Sequence, residues 1–137
     1  MTDTVVTIKK SIIMEKEYVM RIAQTIQDQL VSFTPAPVLM SWGIKNFLAS
    51  IFKNMPALRF HVNGRLFQGH VLICLNGSDY YEVYLQSETS VECVHNEVYF
   101  DELGDVIDRA IESGTDKEEY DKFCHQQLAL LLGGKSA

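Results

Sequence analysis

Residues 58–86, LRFHVNGRLFQGHVLICLNGSDYYEVYLQ, contain three strand patterns separated by two turns and predict the sheet at the centre of this chain. The run 58–62 alternates apolar and polar residues, as a strand with one buried face does. The run 70–75 is nearly all apolar, which is typical of a central strand covered on both faces. In the run 80–86 the residues alternate again. Asn-Gly and Asn-Gly-Ser-Asp between the runs are turn signals, so the stretch predicts consecutive antiparallel strands.

The alternation also assigns side chains to the two faces of these strands. Leu58, Phe60 and Val62 are predicted on one face, and Arg59 and His61 on the other. In the third strand one predicted face consists of Tyr81, Val83 and Leu85. The other consists of Tyr80, Glu82 and Tyr84.

Upstream of the strands the sequence predicts one long helix. Apolar residues recur at helical spacing over 14–33, with polar residues on the opposite side. Pro35 and Pro37 exclude a helical continuation. Residues 1–11 show no clear period, and we expect a flexible arm or an extra edge strand there. The run 38–40 fits a short strand.

The segment 44–55 fits two structures. Its apolar residues occur at helical spacing, and Ser41 is a suitable cap for a helix beginning there. The periodicity favours the helix, and an extended continuation after Trp42-Gly43 is the alternative.

Downstream of these strands, residues 90–95 fit one further short strand and two helices follow. An apolar stripe over 100–113 predicts the first helix. Thr115 and Glu118 form a capping-box pattern for the second, which covers 116–132.

Together these patterns predict one α+β domain over residues 1–137. It consists of an N-terminal helix, an antiparallel meander sheet of four to five strands and two C-terminal helices. We expect helices 14–33 and 100–113 to cover one face of the sheet. The tail 133–137 is predicted to be disordered.

The composition is that of an ordinary globular domain, with 47% apolar and 22% charged residues. No apolar run approaches the roughly 20 residues that span a bilayer, and the first residues lack the pattern of a signal peptide. Cys74, Cys93 and Cys124 are odd in number and lie in apolar periodic segments. We therefore expect reduced, buried thiols in a cytoplasmic protein with no membrane contact.

The net charge of −6 conceals an asymmetry. Residues 1–77 carry eight Lys/Arg against four Asp/Glu, whereas residues 78–137 carry four against fourteen. Residues 29–78 contain no carboxylate. The electrostatic field of such an asymmetric charge distribution can orient an approaching partner. The alternative is that charges of both signs simply cover a solvated surface.

Basic residues near aromatic ones in this carboxylate-free middle are candidate nucleic-acid contacts. Cations neutralise phosphates, and aromatic rings stack on bases. The sequence pI near 5.1 and the small number of cations favour an ordinary sheet face instead. The candidate binding residues are Trp42, Lys45, Lys53, Arg59 and Arg65.

A stripe of carboxylates forms the alternative surface. Four carboxylates between residues 101 and 112 recur at spacings of four, three and four residues, so a helix would place them on one side. Such a stripe can hold a divalent cation or meet a basic protein, although a solvated helix face is the simpler explanation. We keep an acidic interaction surface over 97–121 as the alternative, with these candidates: Asp101, Asp105, Asp108 and Glu112.

No pattern predicts catalysis. Cys93, His95, Cys124 and His125 are zinc-ligand types, but they lack the tight pairwise spacing of structural zinc sites. The sequence has no Gly-x-Ser-x-Gly motif and no Gly-rich loop opening a helix. We therefore predict no catalytic residues, no metal and no cofactor, and keep a small enzyme as a second alternative.

Several short motifs follow one another in a recognisable order. They are LMSWGIKNF at 39–47, Leu-Arg-Phe at 58–60, the apolar strand 71–75, Asp-Tyr-Tyr at 79–81 and EVYFDEL at 97–103. In this order they resemble small uncharacterised proteins of bacterial phages and conjugative elements. Those proteins have a Met-Thr-Gly-Ala-Lys-Asn-Phe-like box, a Leu-x-Phe strand and an Asp-x-Tyr turn.

The resemblance covers about residues 22–112 and implies an N-terminal helix, an antiparallel sheet and a helix packed upon it. It also implies an extended segment after the box, against the helix favoured for 44–55. The chain departs from the resemblance at Ser41-Trp42, in a longer segment 48–56 and in the added helix after Thr115. It implies no catalytic residue.

These observations predict a non-enzymatic accessory protein of a mobile genetic element, monomeric or dimeric. We expect it to bind a macromolecule through its carboxylate-free middle. The partner is either a nucleic acid or a protein of the same element, and the sequence leaves that choice open.

Overall fold

The computed structural model describes the backbone of residues 2–132 and the side chains of residues 16–132, so the predicted tail 133–137 lies outside the described residues. The described elements are α1 (Thr2–Phe33), α2 (Ala36–Ser41), β1 (Lys45–Phe52), β2 (Met55–Asn63), β3 (Gln68–Leu75), β4 (Tyr81–Gln86), β5 (Val91–Val98), α3 (Leu103–Ile111) and α4 (Lys117–Leu131).

The five strands form one antiparallel sheet in sequence order, each hydrogen-bonded to the next. This confirms the predicted α+β architecture of an N-terminal helix, a meander sheet and two C-terminal helices. The second turn signal acts as predicted: Asn76 Oδ1 accepts hydrogen bonds from the backbone N–H groups of Ser78 and Tyr80 at 2.9 and 3.1 Å. Asp79 adopts a positive φ of 64° in the same turn, which Asp tolerates better than most residues.

The helix favoured for 44–55 is wrong, and the extended alternative is confirmed. Lys53 and Asn54 both have positive φ, 50° and 62°, and join β1 to β2 in a two-residue hairpin turn. An irregularity at Asn46, with φ 62°, shifts the register near the start of β1. Beyond it the register is regular, and apolar side chains fall on both faces of this edge strand, so that their spacing imitates a helix.

The strand predicted for 38–40 is also wrong. Pro35 precedes a single short helix, α2, and its carbonyl accepts hydrogen bonds from the N–H groups of Val38 and Leu39 at 3.0 and 3.1 Å. Pro37 lies in the first turn of α2, a position that suits proline because its ring fixes a helical φ and its missing N–H is not needed there. Ser41 donates its hydroxyl to the Val38 carbonyl at 2.6 Å and closes the turn.

Helices α1 and α3 pack on one face of the sheet, as predicted, and we call this the covered face. Residues 2–11 continue α1 rather than adding an edge strand. Although α1 is long, no helix of the described residues is long and apolar enough to cross a membrane. The fully buried side chains of this core include Ile26, Leu30, Phe60, Val62, Val71, Ile73, Val83, Leu103, Ile107 and Ile111.

The opposite side of the sheet, which we call the open face, carries no helix among the described elements. A second small cluster is nonetheless buried there: Ala57, Leu72, Cys74 and Tyr84, flanked by Phe52 and Met55. The central strand β3 is therefore buried on both faces, as predicted, but on the open face its cover comes from side chains of neighbouring strands.

The C-terminal helices are joined by a short turn at Gly114, where φ is +72°. The N-cap of α4 is Asp116, whose side chain accepts a hydrogen bond from the Glu119 N–H at 3.1 Å, rather than the predicted Thr115. None of the residues of α4 is buried. Gly64 lies against the end of α3, where a Cβ would overlap the Ile111 carbonyl.

Candidate anion-binding site on the open face

Basic and imidazole side chains gather at one end of the open face because of the strand register. One row across the sheet contains Lys45, His61, His70 and Gln86, each the cross-strand partner of the next. Paired residues of antiparallel strands lie on the same face, so the hairpins bring together groups that are far apart in sequence. Arg59 lies in the adjacent row, opposite Leu72.

Arg59 is the central group of this cluster. One guanidinium nitrogen, Nη2, lies 3.3 Å from His70 Nδ1. Its Nε is buried and has no hydrogen-bond partner among the described residues. The ion pairs in the described part of the chain, Arg65–Glu119 and Arg109–Asp105, do not involve Arg59. A half-buried guanidinium without a carboxylate is unusual, because buried charges are normally paired.

His61 and His70 extend the cluster. Their rings meet edge to face with centroids 5.4 Å apart, and His61 Nδ1 is buried without a partner in the described chain. The pKa of His70 is lowered by partial burial, then by the charge of Arg59 and by His61. Because arginine only donates hydrogen bonds, His70 Nδ1 is the acceptor, and the ring hydrogen of neutral His70 is on Nε2.

These side chains line a shallow groove of about 640 Å³, completed by Gln68, Gln86 and the loop 87–89. Glu88, in that loop, is exposed and is the one carboxylate among the residues that line the groove. The lining offers guanidinium, imidazole and amide donors. Such an arrangement can bind an oxyanion such as a phosphate group.

The other end of the open face is apolar and chemically unreactive. Lys53 lies over the rings of Phe52 and Tyr84, 5.6 and 5.0 Å from their centroids. The Tyr84 hydroxyl donates to Glu82 Oε1 at 2.5 Å, and this hydrogen bond, followed by burial, raises the pKa of Tyr84. Burial, then the charge of Glu82, raises the pKa of the Cys74 thiol to about 12. Both groups are therefore protonated at neutral pH.

Three of the five candidate binding residues share the open face, and the other two do not. Trp42 is fully buried under the covered face, where its Nε1 donates to Asp108 Oδ1 at 2.8 Å. Its ring is not accessible to a base. Sequence patterns gave no sign of this burial, because Trp42 lies in an irregular segment with no period.

Arg65 is engaged with the C-terminal helices. Its backbone N–H donates to Glu112 Oε1 and its Nε to the Glu112 carbonyl, both at 3.0 Å. Its guanidinium pairs with Glu119 at 3.2 Å and lies over the rings of Tyr120 and Phe123. Arg65 therefore attaches α4 to the β2–β3 connection.

The acidic stripe does not form one solvent-exposed surface. Asp101 is exposed, and Asp105 pairs with Arg109 at 3.2 Å on the outer side of α3. Asp108 accepts the Trp42 hydrogen bond, and Glu112 is buried against Arg65. Two of the four carboxylates thus hold the fold together, and the solvated helix face expected for the stripe is wrong for them.

The zinc-ligand types lie on the surface. Cys93 and His95 are exposed on β5, and Cys124 and His125 are exposed on α4. Within the part of the chain that the structure describes, no three His, Cys, Asp or Glu side chains come close enough to hold a metal ion. Of the three thiols only Cys74 is buried, so the expectation of three buried cysteines is wrong for Cys93 and Cys124.

Sequence reasoning placed Arg59 and His61 on one face but did not bring His70 to them. The missing information was the register of the β2–β3 hairpin, which the loop 64–67 sets. Comparisons of the chain with protein-family models, with curated proteins and with solved structures find no match.

Proposed function

We propose that the protein is a non-enzymatic binding module that holds the phosphate backbone of a nucleic acid strand on its open face. The single observation that carries the proposal is Arg59, a half-buried guanidinium without a carboxylate partner beside His61 and His70. A phosphate oxygen satisfies the donors of such a group with charge-assisted hydrogen bonds.

Two further cations support a strand-like ligand rather than a lone anion. Lys45 lies in the row of His61, and Lys53 lies at the far end of the same face over Tyr84. Both are exposed. A ligand that reaches from one lysine to the other, past Arg59, needs negative charge along its length, as a nucleic acid backbone has. The protonated thiol and phenol between them favour binding over catalysis.

A salt titration tests this function directly. Fluorescent single-stranded DNA, single-stranded RNA and their duplexes are titrated with the protein at several salt concentrations. Each phosphate contact on a single strand contributes about −0.7 to the slope of log affinity against log salt, so three cations predict a slope of about −2. Arg59→Ala should make the slope less negative by about 0.7.

The matched control is Arg21→Ala, which removes an exposed arginine of α1 and should leave the slope unchanged. The absence of binding by all four nucleic acids at about 0.1 mM, the weak end of non-specific binding, would overturn the proposal. Salt-sensitive binding of poly-glutamate alone would instead indicate an acidic protein as the partner.

We further propose that the protein acts in the bacterial cytoplasm as an accessory protein of a phage or conjugative element. The support is the ordered resemblance between residues 39 and 103, together with three free thiols that suit a reducing compartment. The neighbouring genes are the test: integrase, relaxase or capsid genes beside this gene are expected. Housekeeping operons around its occurrences would contradict the proposal.

A further inference from the structure

The two edges of the sheet are built very differently. The β5 edge carries exposed Glu92, His95 and Glu97 and has an irregular register with β4, which are the usual protections of a strand edge. The β1 edge has neither protection along residues 48–52. Its exposed side chains include Phe47, Leu48 and Ile51, the last two 55% and 51% exposed.

The backbone of β1 is open along its outer side. The strand is eight residues long and pairs with β2 only, in a regular register from Leu48 to Phe52. Every second N–H and C=O of an edge strand points away from its partner and is free to pair with another strand. The described chain supplies no such strand to β1.

An apolar groove runs beside this edge. It measures about 670 Å³ and lies between α1, at Lys16, Val19 and Met20, and residues 47–51 of β1. Met20 is 57% exposed. Because side chains alternate along a strand, a strand added to β1 would place every second side chain in this groove. The intervening side chains would lie beside Leu48 on the open face.

The charged residues that line the groove or end the strand are positive. Lys45 begins β1, Lys53 follows its last residue, and Lys16 borders the groove. Residues 29–78 contain no carboxylate, and Glu17, next to Lys16 on α1, does not line the groove. Antiparallel pairing of β1 with a second copy of itself, centred on Ala49, would set Phe47 opposite Ile51. The same register would set Lys45 opposite Lys53, and like charges placed opposite one another are destabilising. The edge therefore suits an acidic partner better than a second copy.

We propose that the β1 edge binds an extended segment of a partner protein by strand addition. This segment has apolar residues at alternate positions and carboxylates at both ends. The β1 backbone supplies the hydrogen bonds, the groove beside α1 takes the apolar side chains, and Lys45 and Lys53 pair with the terminal carboxylates. The site shares Lys45 and Lys53 with the proposed nucleic-acid surface, but it does not include the Arg59 groove and requires no nucleic acid.

Two synthetic peptides test the proposal. Each has six alternating Val and Thr residues, flanked by two Glu at each end in one peptide and two Lys at each end in the other, with fluorescein at one terminus. Fluorescence anisotropy should show saturable binding of the Glu-ended peptide to the full-length protein. The Lys-ended peptide should bind at least about tenfold more weakly, because its charges repel those of the edge.

Substitutions at the two edges provide the matched comparison. Ile51→Lys and, separately, Leu48→Lys should each weaken the binding of the Glu-ended peptide at least about tenfold, because a charge replaces an apolar contact in the site. Val91→Lys changes an exposed apolar residue of the opposite edge and should have no effect. Arg59→Ala should also have no effect, so failure of the nucleic-acid proposal is distinguishable from failure of this one.

Three outcomes would overturn the proposal. The first is equal affinity for the two peptides, and the second is unchanged binding by folded Ile51→Lys and Leu48→Lys variants. The third is a wild-type dimer in sedimentation that Ile51→Lys converts to a monomer, since the occupant of the edge would then be a second copy of the chain.

Discussion

The covered face and the open face are formed by alternate residues of the same strands, but they have different roles. On the covered face Phe60, Val71 and Val83 meet side chains of α1 and α3 in one continuous core. On the open face Leu72 is buried only by its neighbours in the sheet, and Arg59 next to it keeps an unsatisfied donor. One helix layer thus supplies the core, which leaves the second face free to carry polar groups.

The greatest loss of stability is predicted for a substitution on the covered face. Phe60→Ala removes a fully buried ring and should lower the free energy of unfolding by about 3–5 kcal/mol, through lost burial and an added cavity. Phe47→Ala is the control, because the Phe47 ring lies 5.4 Å from Phe60 but is 37% exposed at the sheet edge. Urea denaturation of both variants checks this. Equal losses would mean that the core does not centre on β2.

An intermediate effect is expected from the small cluster on the open face. Leu72→Ala should lower the free energy of unfolding by about 2–3 kcal/mol. This is the lower end of the range for a buried leucine, because a single layer of side chains covers Leu72. Leu48→Ala, on the same face but largely exposed, should cost less than about 1 kcal/mol. A loss for Leu72→Ala as small as that for Leu48→Ala would show that the cluster is not packed in solution.

The smallest effect is a pH dependence that belongs to the open face alone. The pKa of His70 is lowered in the folded state, by burial first and then by Arg59, so the unfolded chain binds the proton more tightly. The contribution of neutral His70 to the stability of the folded state is complete above the unfolded pKa of about 6.5. It is lost as the pH falls through the lower pKa of folded His70.

His70→Gln should therefore lose less stability than the wild type between pH 7 and pH 5. Thermal unfolding across that range measures the difference, and NMR titration of the imidazole gives the folded pKa directly. An unshifted His70 titration would contradict the proximity of His70 to Arg59. Added inorganic phosphate should raise the His70 pKa, because a bound anion favours the charged ring.

The candidate site was only partly predictable from the sequence, for reasons that individual residues illustrate. The alternation around Arg59 placed it on the face opposite Phe60, and the structure agrees. Arg65 follows a turn, where alternation gives no direction, and it contacts Glu112, which is 47 residues away. Trp42 was attractive as an exposed aromatic residue near lysines, but its ring fills the core beside α3.

Local sequence patterns were enough to predict the strands β2 to β5, residues 14–33 of α1, and the helix α3. Local alternation, turn residues and helical periodicity act over a few residues and need no knowledge of the rest of the chain. The strand 45–52 depends on tertiary contacts, because its hairpin partner β2 and the packing of α1 outweigh a helical spacing of apolar residues. The same holds for the Arg59, His61 and His70 cluster. Its members meet through strand register, and neither ion pair of the described residues involves Arg59. Local patterns do not encode this arrangement.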